Sequence, residues 1–218
     1  MTFKRKKYLV IKKVITRDMA NFIYGYFMMK RRVTKKFLDD RYISPFENAW
    51  GIWTDEQVSN TYSHYADLVM EALLEKVKPR MEKETKLKLI PTYSYARIYK
   101  KGDVLKRHKD RFSCEISTTM FLGGDPWSIF LDPTGGNFVI DEKKEIHKPN
   151  APKGIKVSLK PGDMLIYSGC ELEHWREAFQ GTNCCQVFLH YNQVNSPGAI
   201  ENRFDKRPFL GLPSWFKK

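Results

Sequence analysis

The apolar positions in the first third of the chain predict one strand and two helices. Tyr8–Ile11 are four consecutive strand-forming residues. Thr16 follows after a short gap and can cap a helix that begins directly after it. A second helix is predicted from Val58, because apolar residues then recur every three or four positions until Pro79. Residues 39–55 are irregular and aromatic, which predicts a loop between the two helices.

The spacing changes from Leu87 onward, where short apolar segments alternate with turns that contain glycine and proline. A succession of short strands favours a sandwich or a barrel, so we expect a mainly β fold with N-terminal helices. One domain is expected, with a strand and helices at 1–86, a β core at 87–195 and a C-terminal strap at 196–218. The predicted strands are Thr92–Tyr99, Ser117–Leu122, Ser128–Leu131, Asn137–Ile140, Lys156–Leu159, Met164–Tyr167, Glu173–Phe179 and Cys185–Tyr191.

The composition excludes several classes of protein. The 218 residues are 42% hydrophobic, which is enough to bury a core and excludes a wholly disordered chain. No apolar run approaches the roughly 18 residues of a membrane span, so no membrane partner is expected. The net charge of +13 permits a nucleic-acid partner. The lysines are nevertheless spread along the whole chain, as on a solvated surface, and nucleic acid is not favoured.

The cysteines and the N-terminus predict a cytoplasmic location. The 4 cysteines form no CxxC pair and have no regular spacing, which argues against a disulfide framework and against a zinc knuckle. Lys12 and Lys13 interrupt what would be the apolar stretch of a signal peptide. A reducing compartment therefore fits best.

The candidate chemistry lies in two distant segments. His108 and Asp110 are two residues apart, so in an extended chain both side chains project to the same face. A Tyr-x-x-Gly-x-x-Leu turn precedes them, and a second histidine, His174, follows a Pro-Gly-Asp turn far downstream. Two histidines and one carboxylate form a facial triad that leaves metal positions open, which suits oxygen chemistry at Fe(II).

With these motifs, residues 87–194 resemble the double-stranded β-helix core, a jelly-roll or cupin-like fold, of the 2-oxoglutarate- and Fe(II)-dependent dioxygenases. The prolyl 4-hydroxylase-like branch is the most similar. The resemblance implies that His108, Asp110 and His174 hold Fe(II), that 2-oxoglutarate and O2 take the open positions, and that succinate and CO2 are coproducts. Ascorbate is a further candidate cofactor. The implied reaction is hydroxylation of a peptidyl residue, such as proline, or of a small molecule.

The residue that binds the distal carboxylate of 2-oxoglutarate is left open. The family often places a lysine or arginine about ten residues beyond the second histidine, but residues 183–186 contain none. Arg176 and Arg97 are the two leading candidates, with His190 or a lysine as further ones. Tyr99 stands where the family commonly places a tyrosine that contacts the cosubstrate, and Gln186 can add a neutral hydrogen bond.

Other interpretations remain. Arg176 could instead form an ion pair with Glu173 or Glu177. The chain could be a nucleic-acid demethylase, but that branch carries paired arginines, and Arg176 is the only arginine between His174 and Arg203. It could also be a non-catalytic β-barrel binding module, although a structural metal site would more often use four protein ligands.

Overall fold

The computed structural model describes residues 2–217. The α-helices in this part of the chain are α1 (Phe3–Lys6), α2 (Arg17–Asp39) and α3 (Leu68–Thr85). The strands are β1 (Tyr8–Ile11), β2 (Tyr62–Tyr65), β3 (Leu89–Lys100), β4 (Leu105–His108), β5 (Ile116–Gly124), β6 (Ile129–Leu131), β7 (Val139–Asp141), β8 (Ile146–His147), β9 (Ile155–Val157), β10 (Met164–Ser168), β11 (His174–Arg176) and β12 (Asn183–Gln193).

Two antiparallel sheets form the core. The larger has six strands in the order β1-β10-β5-β12-β3-β2, and the smaller has four in the order β4-β11-β6-β9. Inward side chains of both sheets pack in one buried cluster, with Tyr99, Phe121 and Leu165 from the larger sheet and Leu105 and Leu131 from the smaller. This arrangement is the double-stranded β-helix, and the predicted mainly β fold is confirmed.

The helices pack on the outer face of the six-stranded sheet. Ile23 and Phe27 of α2 and Leu74 of α3 share a buried cluster with Ala96 and Ile98 of β3. These two β3 residues alternate with inward-facing ones, as a period of two requires. Helices therefore cover one face of the larger sheet, and its other face lines the interior of the barrel.

The predicted start of the first long helix is confirmed, and that of the second is wrong. Thr16 Oγ1 accepts a hydrogen bond from the Met19 backbone N–H at the start of α2. Residues 62–65, predicted as helix, instead form the edge strand β2 against β3. The helix α3 begins after Asp67, whose carboxylate caps it, and continues through Pro79 to Thr85.

The β core contains strands that the apolar pattern does not predict. The most important is β4, which carries a metal-ligand candidate, and β11 is shorter than the predicted segment 173–179. Between Ser196 and Lys217 the chain contains only a short 3-10 turn, at Arg203–Lys206. The division into 1–86, 87–195 and 196–218 stays a prediction. None of the helices in residues 2–217 is long and apolar enough to cross a membrane.

Candidate metal centre

The three predicted ligands converge at one end of the smaller sheet. His108 is the last residue of β4 and lies directly opposite His174, the first residue of β11. Their Nε2 atoms lie 3.6 Å and 3.5 Å from Asp110 Oδ1. One nitrogen or oxygen atom of each residue lies within 4.8 Å of the others. The antiparallel register thus places two imidazoles and a carboxylate around one point.

Backbone carbonyls orient both imidazole rings. His108 Nδ1 lies 2.7 Å from the Lys106 carbonyl oxygen, and His174 Nδ1 lies 3.1 Å from that of Leu172. A carbonyl only accepts hydrogen bonds, so each Nδ1 must be the protonated nitrogen. The lone pairs of both Nε2 atoms therefore face the shared point, as metal binding requires. The donor set fits a divalent cation that keeps open positions.

Contacts to both its side chain and its backbone hold Asp110 in place. Ser117 Oγ donates to its Oδ2 at 2.7 Å, and the Asp110 backbone N–H donates to the Gly169 carbonyl at 2.9 Å. Although burial alone would raise the pKa of Asp110, the neighbouring His174 and His108 hold it well below its usual value. A Cβ at Gly169 would lie 2.4 Å from Asp110 Oδ2, so only glycine fits there.

A buried ion-pair cluster lies behind the histidines. Arg107 precedes His108, and its guanidinium contacts Glu173 Oε2 at 2.7 Å and Asp132 Oδ2 at 2.6 Å. Glu173 precedes His174. Because side chains alternate along a strand, the residues next to the two imidazoles point to the opposite face and pair there. The cluster joins β4, β11 and the end of β6 behind the candidate ligands.

A cavity of about 360 Å³ opens beside the triad. Its wall is rich in hydrogen-bonding side chains from β3 and from the segment before β2: Asp55, Gln57, Tyr93, Tyr95, Arg97 and Tyr99. The Gln57 amide nitrogen lies 3.2 Å from His108 Nε2. The segment before β2, predicted as loop and helix, therefore reaches the candidate metal-binding nitrogen.

Arg97 lines this cavity and has an acidic partner. Its Nη2 lies 2.8 Å from Asp55 Oδ2, and its Nη1 donates to Gln57 Oε1 at 3.2 Å and to the Tyr99 hydroxyl at 3.4 Å. Tyr95 also donates to Asp55. Burial alone would raise the pKa of Asp55, but Arg97 and the hydrogen-bond donors lower it below its usual value.

Arg176 lies deeper in the barrel and has no carboxylate partner among residues 2–217. Its Nη2 donates to Thr119 Oγ1 at 3.0 Å, its Nη1 donates to the Trp127 carbonyl, and its Nε has no partner. The ion pair with Glu173 considered above is wrong, because Glu173 pairs with Arg107. Burial lowers the pKa of Arg176 from its usual value.

Gln186 lies beside Arg176 on the inner face of β12. Its Oε1 accepts a hydrogen bond from Thr119 Oγ1 at 3.0 Å, and its Nε2 contacts Cys184 Sγ at 3.3 Å. Tyr99 connects this deep region to the cavity that it lines. Burial raises the pKa of Tyr99, and the Arg97 and Arg176 guanidinium groups oppose that rise. The two candidate arginines thus both lie close to this one tyrosine.

A second group of possible ligands adjoins the triad but is less suited to a metal. Asp110, Cys114 and His190 bring ligand atoms within 4.8 Å of one another. Cys114 Sγ lies 3.0 Å from the Tyr93 hydroxyl, and burial raises the pKa of this thiol well above its usual value. Because the thiolate is the metal-binding form, Cys114 is a poor ligand. Burial also lowers the pKa of His190 to about 4, so its imidazole is neutral at pH 7.

Known proteins with this architecture were found by sequence and by structure. No family model matches the chain. A PKHD-type hydroxylase from Rhizorhabdus wittichii is 31% identical over 102 residues, which is 46% of this chain and 39% of that protein. A Pseudomonas putida prolyl-4-hydroxylase has a TM-score of 0.55 at 11% identity, covering 88% of this chain and 96% of its own. HygX from Streptomyces hygroscopicus, solved with nickel and 2-oxoglutarate, has a TM-score of 0.58 at 14% identity, covering 88% and 85%.

The chain shares the double-stranded β-helix fold of these solved oxygenases. The resemblance to the prolyl 4-hydroxylase-like branch is thereby confirmed, and the matched segment spans well under half of the curated relative's length. Within this fold, sequence reasoning missed the polar residues Ser117 and Thr119. Both stand an even number of positions from Phe121 on the predicted strand 117–122, and Phe121 packs in the inner cluster, so the period of two places all three on the same face. Asp55 and Gln57 lie in an irregular segment and give no such signal.

Proposed function

We propose that the chain is an Fe(II)- and 2-oxoglutarate-dependent dioxygenase that hydroxylates an unactivated C–H bond. The convergence of His108, Asp110 and His174 at the facing ends of β4 and β11 carries the proposal. Bound iron would supply the activation of O2, so that 2-oxoglutarate, O2 and the substrate C–H bond become succinate, CO2 and an alcohol. A non-catalytic binding module is disfavoured because the three mixed ligands leave positions open.

We assign the distal carboxylate of 2-oxoglutarate to Arg176. A buried guanidinium without an acidic partner is costly, and an anionic cosubstrate would neutralise it. Thr119 already contacts Arg176, and Tyr99 can donate a hydroxyl from the cavity side. Gln186 orients the Thr119 hydroxyl. Arg97 is the weaker candidate because Asp55 already neutralises it.

The substrate class is a peptidyl residue or a small molecule. The Pseudomonas putida relative in structure is a prolyl-4-hydroxylase, which is the basis for considering a peptide. No residue is assigned to ascorbate, which stays a candidate reductant, and nucleic acid is not favoured as a partner. The 4 cysteines are free thiols, consistent with the proposed cytoplasmic location.

Anaerobic titration tests the iron and cosubstrate sites together. Adding Fe(II) and then 2-oxoglutarate is expected to produce the weak visible charge-transfer band of the chelate. His108→Ala and His174→Ala should each remove the band and the release of succinate in air, because each deletes one ligand. His147→Ala is the matched control, since His147 is exposed on β8. Unchanged succinate release in either ligand variant would contradict the assignment.

A further inference from the structure

We propose that the primary substrate is a small zwitterion of the α-amino-acid type, whose carboxylate binds Arg97 and whose ammonium group binds Asp55. This inference rests on the proposed function, in which Arg176 holds the cosubstrate. It selects the small-molecule class over a peptide and assigns the polar wall of the cavity to substrate recognition.

Unused donors on two buried arginines are the first observation. Among residues 2–217, the buried side-chain polar atoms without a hydrogen-bond partner are Ser94 Oγ, Arg97 Nε and Arg176 Nε. Arg97 and Arg176 are 2% and 1% exposed. An unsatisfied buried donor is costly, so each guanidinium is suited to a ligand that accepts hydrogen bonds. One arginine serves 2-oxoglutarate, and the other remains available for a second carboxylate.

The charge balance of the wall selects a ligand with both charges. Arg97 and Asp55 neutralise each other across 2.8 Å, and the Asp55 side chain is 16% exposed. A ligand that is only anionic would compete with Asp55, and one that is only cationic would be repelled by Arg97. A bound zwitterion would replace the Arg97–Asp55 ion pair with two new ones, its carboxylate with Arg97 and its ammonium group with Asp55. No buried charge would then be left unpaired.

The position of this pair relative to the triad is the third observation. Gln57 bridges them, because its Oε1 accepts from Arg97 at 3.2 Å and its Nε2 lies 3.2 Å from His108 Nε2. The charged end of a bound ligand would therefore lie one side chain away from the candidate metal ligands. A side chain on that ligand can then reach the open metal positions.

The size of the cavity supports a small ligand. Its 360 Å³ lies near the lower end of the range of about 300–1,000 Å³ for small-molecule sites. The cosubstrate must share this region. Tyr93, Tyr95 and Tyr99 line the wall, and their hydroxyl groups contact Cys114, Asp55 and Arg97. Such a hydrogen-bonded wall suits a polar ligand better than the apolar ring of a peptidyl proline.

The test measures succinate release from the unmodified protein with the twenty free L-amino acids. At least one amino acid should raise the rate above that without substrate. Its N-acetyl derivative and its methyl ester, which each lack one charge, should be at least about 10-fold weaker in kcat/KM, as expected for loss of a charged hydrogen bond. Equal stimulation by a derivative, or no stimulation by any amino acid, would overturn the inference.

Two variants separate the substrate site from the cosubstrate site. Arg97→Gln and Asp55→Asn should each raise the KM for the amino acid about 10-fold or more and change the KM for 2-oxoglutarate less than about twofold. Arg80→Gln, on the exposed surface of α3, is the control. A larger effect of Arg97→Gln on 2-oxoglutarate would identify Arg97 as the cosubstrate anchor and overturn the inference.

The charge-transfer titration distinguishes failure of the proposed substrate from failure of the proposed dioxygenase function. A normal band without stimulation by any amino acid would overturn the zwitterion and leave the proposed function intact. A missing band in the unmodified protein would overturn both. A normal band in Arg97→Gln and Asp55→Asn would establish that these variants are folded, so that their KM values can be compared.

Discussion

At the scale of single residues, the candidate metal centre depends on Gly169, a residue without a side chain. Gly169 packs against Asp110 so closely that a methyl group would overlap both Oδ2 of that carboxylate and the Cys114 carbonyl oxygen. We expect Gly169→Ala to displace Asp110 and weaken Fe(II) binding about 10-fold or more, as for loss of a supporting contact at a metal site. Isothermal titration with Ni(II) as a redox-stable substitute measures this.

Gly25 provides the matched control for that change. It lies within α2, and an added Cβ would contact nothing within 4 Å. Gly25→Ala should leave metal affinity unchanged and raise the free energy of unfolding by about 0.5–1 kcal/mol, because alanine favours the helix. Equal metal affinity in both variants would show that Asp110 tolerates the crowding.

Arg176 gives a second prediction at this scale. Arg176→Gln should raise the KM for 2-oxoglutarate about 10-fold or more, because a neutral amide replaces a charged, bidentate donor. The affinity for Ni(II) without cosubstrate should stay within about twofold, since Arg176 does not contact the triad. Anaerobic titrations of metal and of cosubstrate separate the two effects. Equal losses in both would indicate that Arg176 acts structurally.

The residues of the centre differ in how far the sequence could predict them. The His-x-Asp spacing and the distant His174 are recognisable because the chemistry demands those side chains. The roles of Arg97 and Arg176 could not be separated, because both lie on inward faces of strands. Only the ion pair with Asp55, a contact between residues 42 positions apart, distinguishes them in the structure.

At the scale of elements, Arg107 joins the strands that carry both imidazoles. It is 6% exposed, pairs with Asp132 and Glu173, and its guanidinium lies 4.3 Å from the centre of the Trp175 ring. Arg107→Met leaves two buried carboxylates unpaired and should lower the free energy of unfolding by about 3–5 kcal/mol. Urea denaturation monitored by circular dichroism measures the loss.

A double variant tests whether the charges cause that effect. Arg107→Met combined with Glu173→Gln should recover part of the lost stability, because one unpaired carboxylate is removed. Strictly additive losses would contradict the role given to the ion pair. Lys78→Met, which breaks a partly exposed pair with Glu82 on one face of α3, should change stability by less than about 1 kcal/mol.

The second helix illustrates why element boundaries were harder to predict than element types. Tyr62 and Tyr65 fit the helical spacing that continues through Val77, so the pattern extended the helix backward. In the fold, residues 62–65 pair with β3 and complete the edge of the sheet. Hydrogen bonding to β3 therefore determined the structure of residues 62–65, in spite of their helical spacing of apolar side chains. Asp67, which accepts from the backbone N–H groups of Val69 and Met70, was the signal for the true start.

At the scale of the whole molecule, the C-terminal segment is fastened to the barrel through Asp205. Its carboxylate accepts from Arg111 at 2.8 and 3.0 Å, from Ser113 at 2.7 Å and from Tyr65 at 2.7 Å. Phe204, Asp205 and Lys206 all have left-handed backbone angles, which cost about 1–2 kcal/mol per residue. The network around one carboxylate offsets that strain.

The contacts of the Asp205 carboxylate should make the stability of the protein depend on pH. Burial alone would raise the pKa of Asp205, but Arg111 and Ser113 hold it well below its usual value. A lowered pKa in the folded state stabilises the protein above the unfolded-state pKa of about 3.9, and this contribution is lost as pH falls toward the folded-state pKa. Asp205→Asn should therefore cost most at pH 7 and progressively less below about pH 4.

Urea denaturation of both proteins between pH 7 and pH 3 measures this convergence. Asp39→Asn, on the exposed end of α2, is the control and should cost little at any pH. A difference between the Asp205 variant and the parent that stays constant down to pH 3 would contradict the depressed pKa.

The sequence predicted the class of fold better than it predicted which strands pair and where the C-terminal segment attaches. Alternating short strands and turns predict a closed β architecture, because few other folds bury such segments. The pairing of β12 with both β3 and β5 is non-local, and no short-range pattern encodes it. The C-terminal segment has no periodic pattern, so its attachment through Asp205 was also beyond local reasoning.

The contact between Gln57 and His108 affects how the ion is acquired. The Gln57 amide nitrogen lies 3.2 Å from the imidazole nitrogen that would bind iron, so the amide and a cation would compete for one lone pair. A cation that binds the triad would have to displace this amide. Cations that bind imidazole too weakly to do so would be excluded, which gives Gln57 a role in selecting the ion.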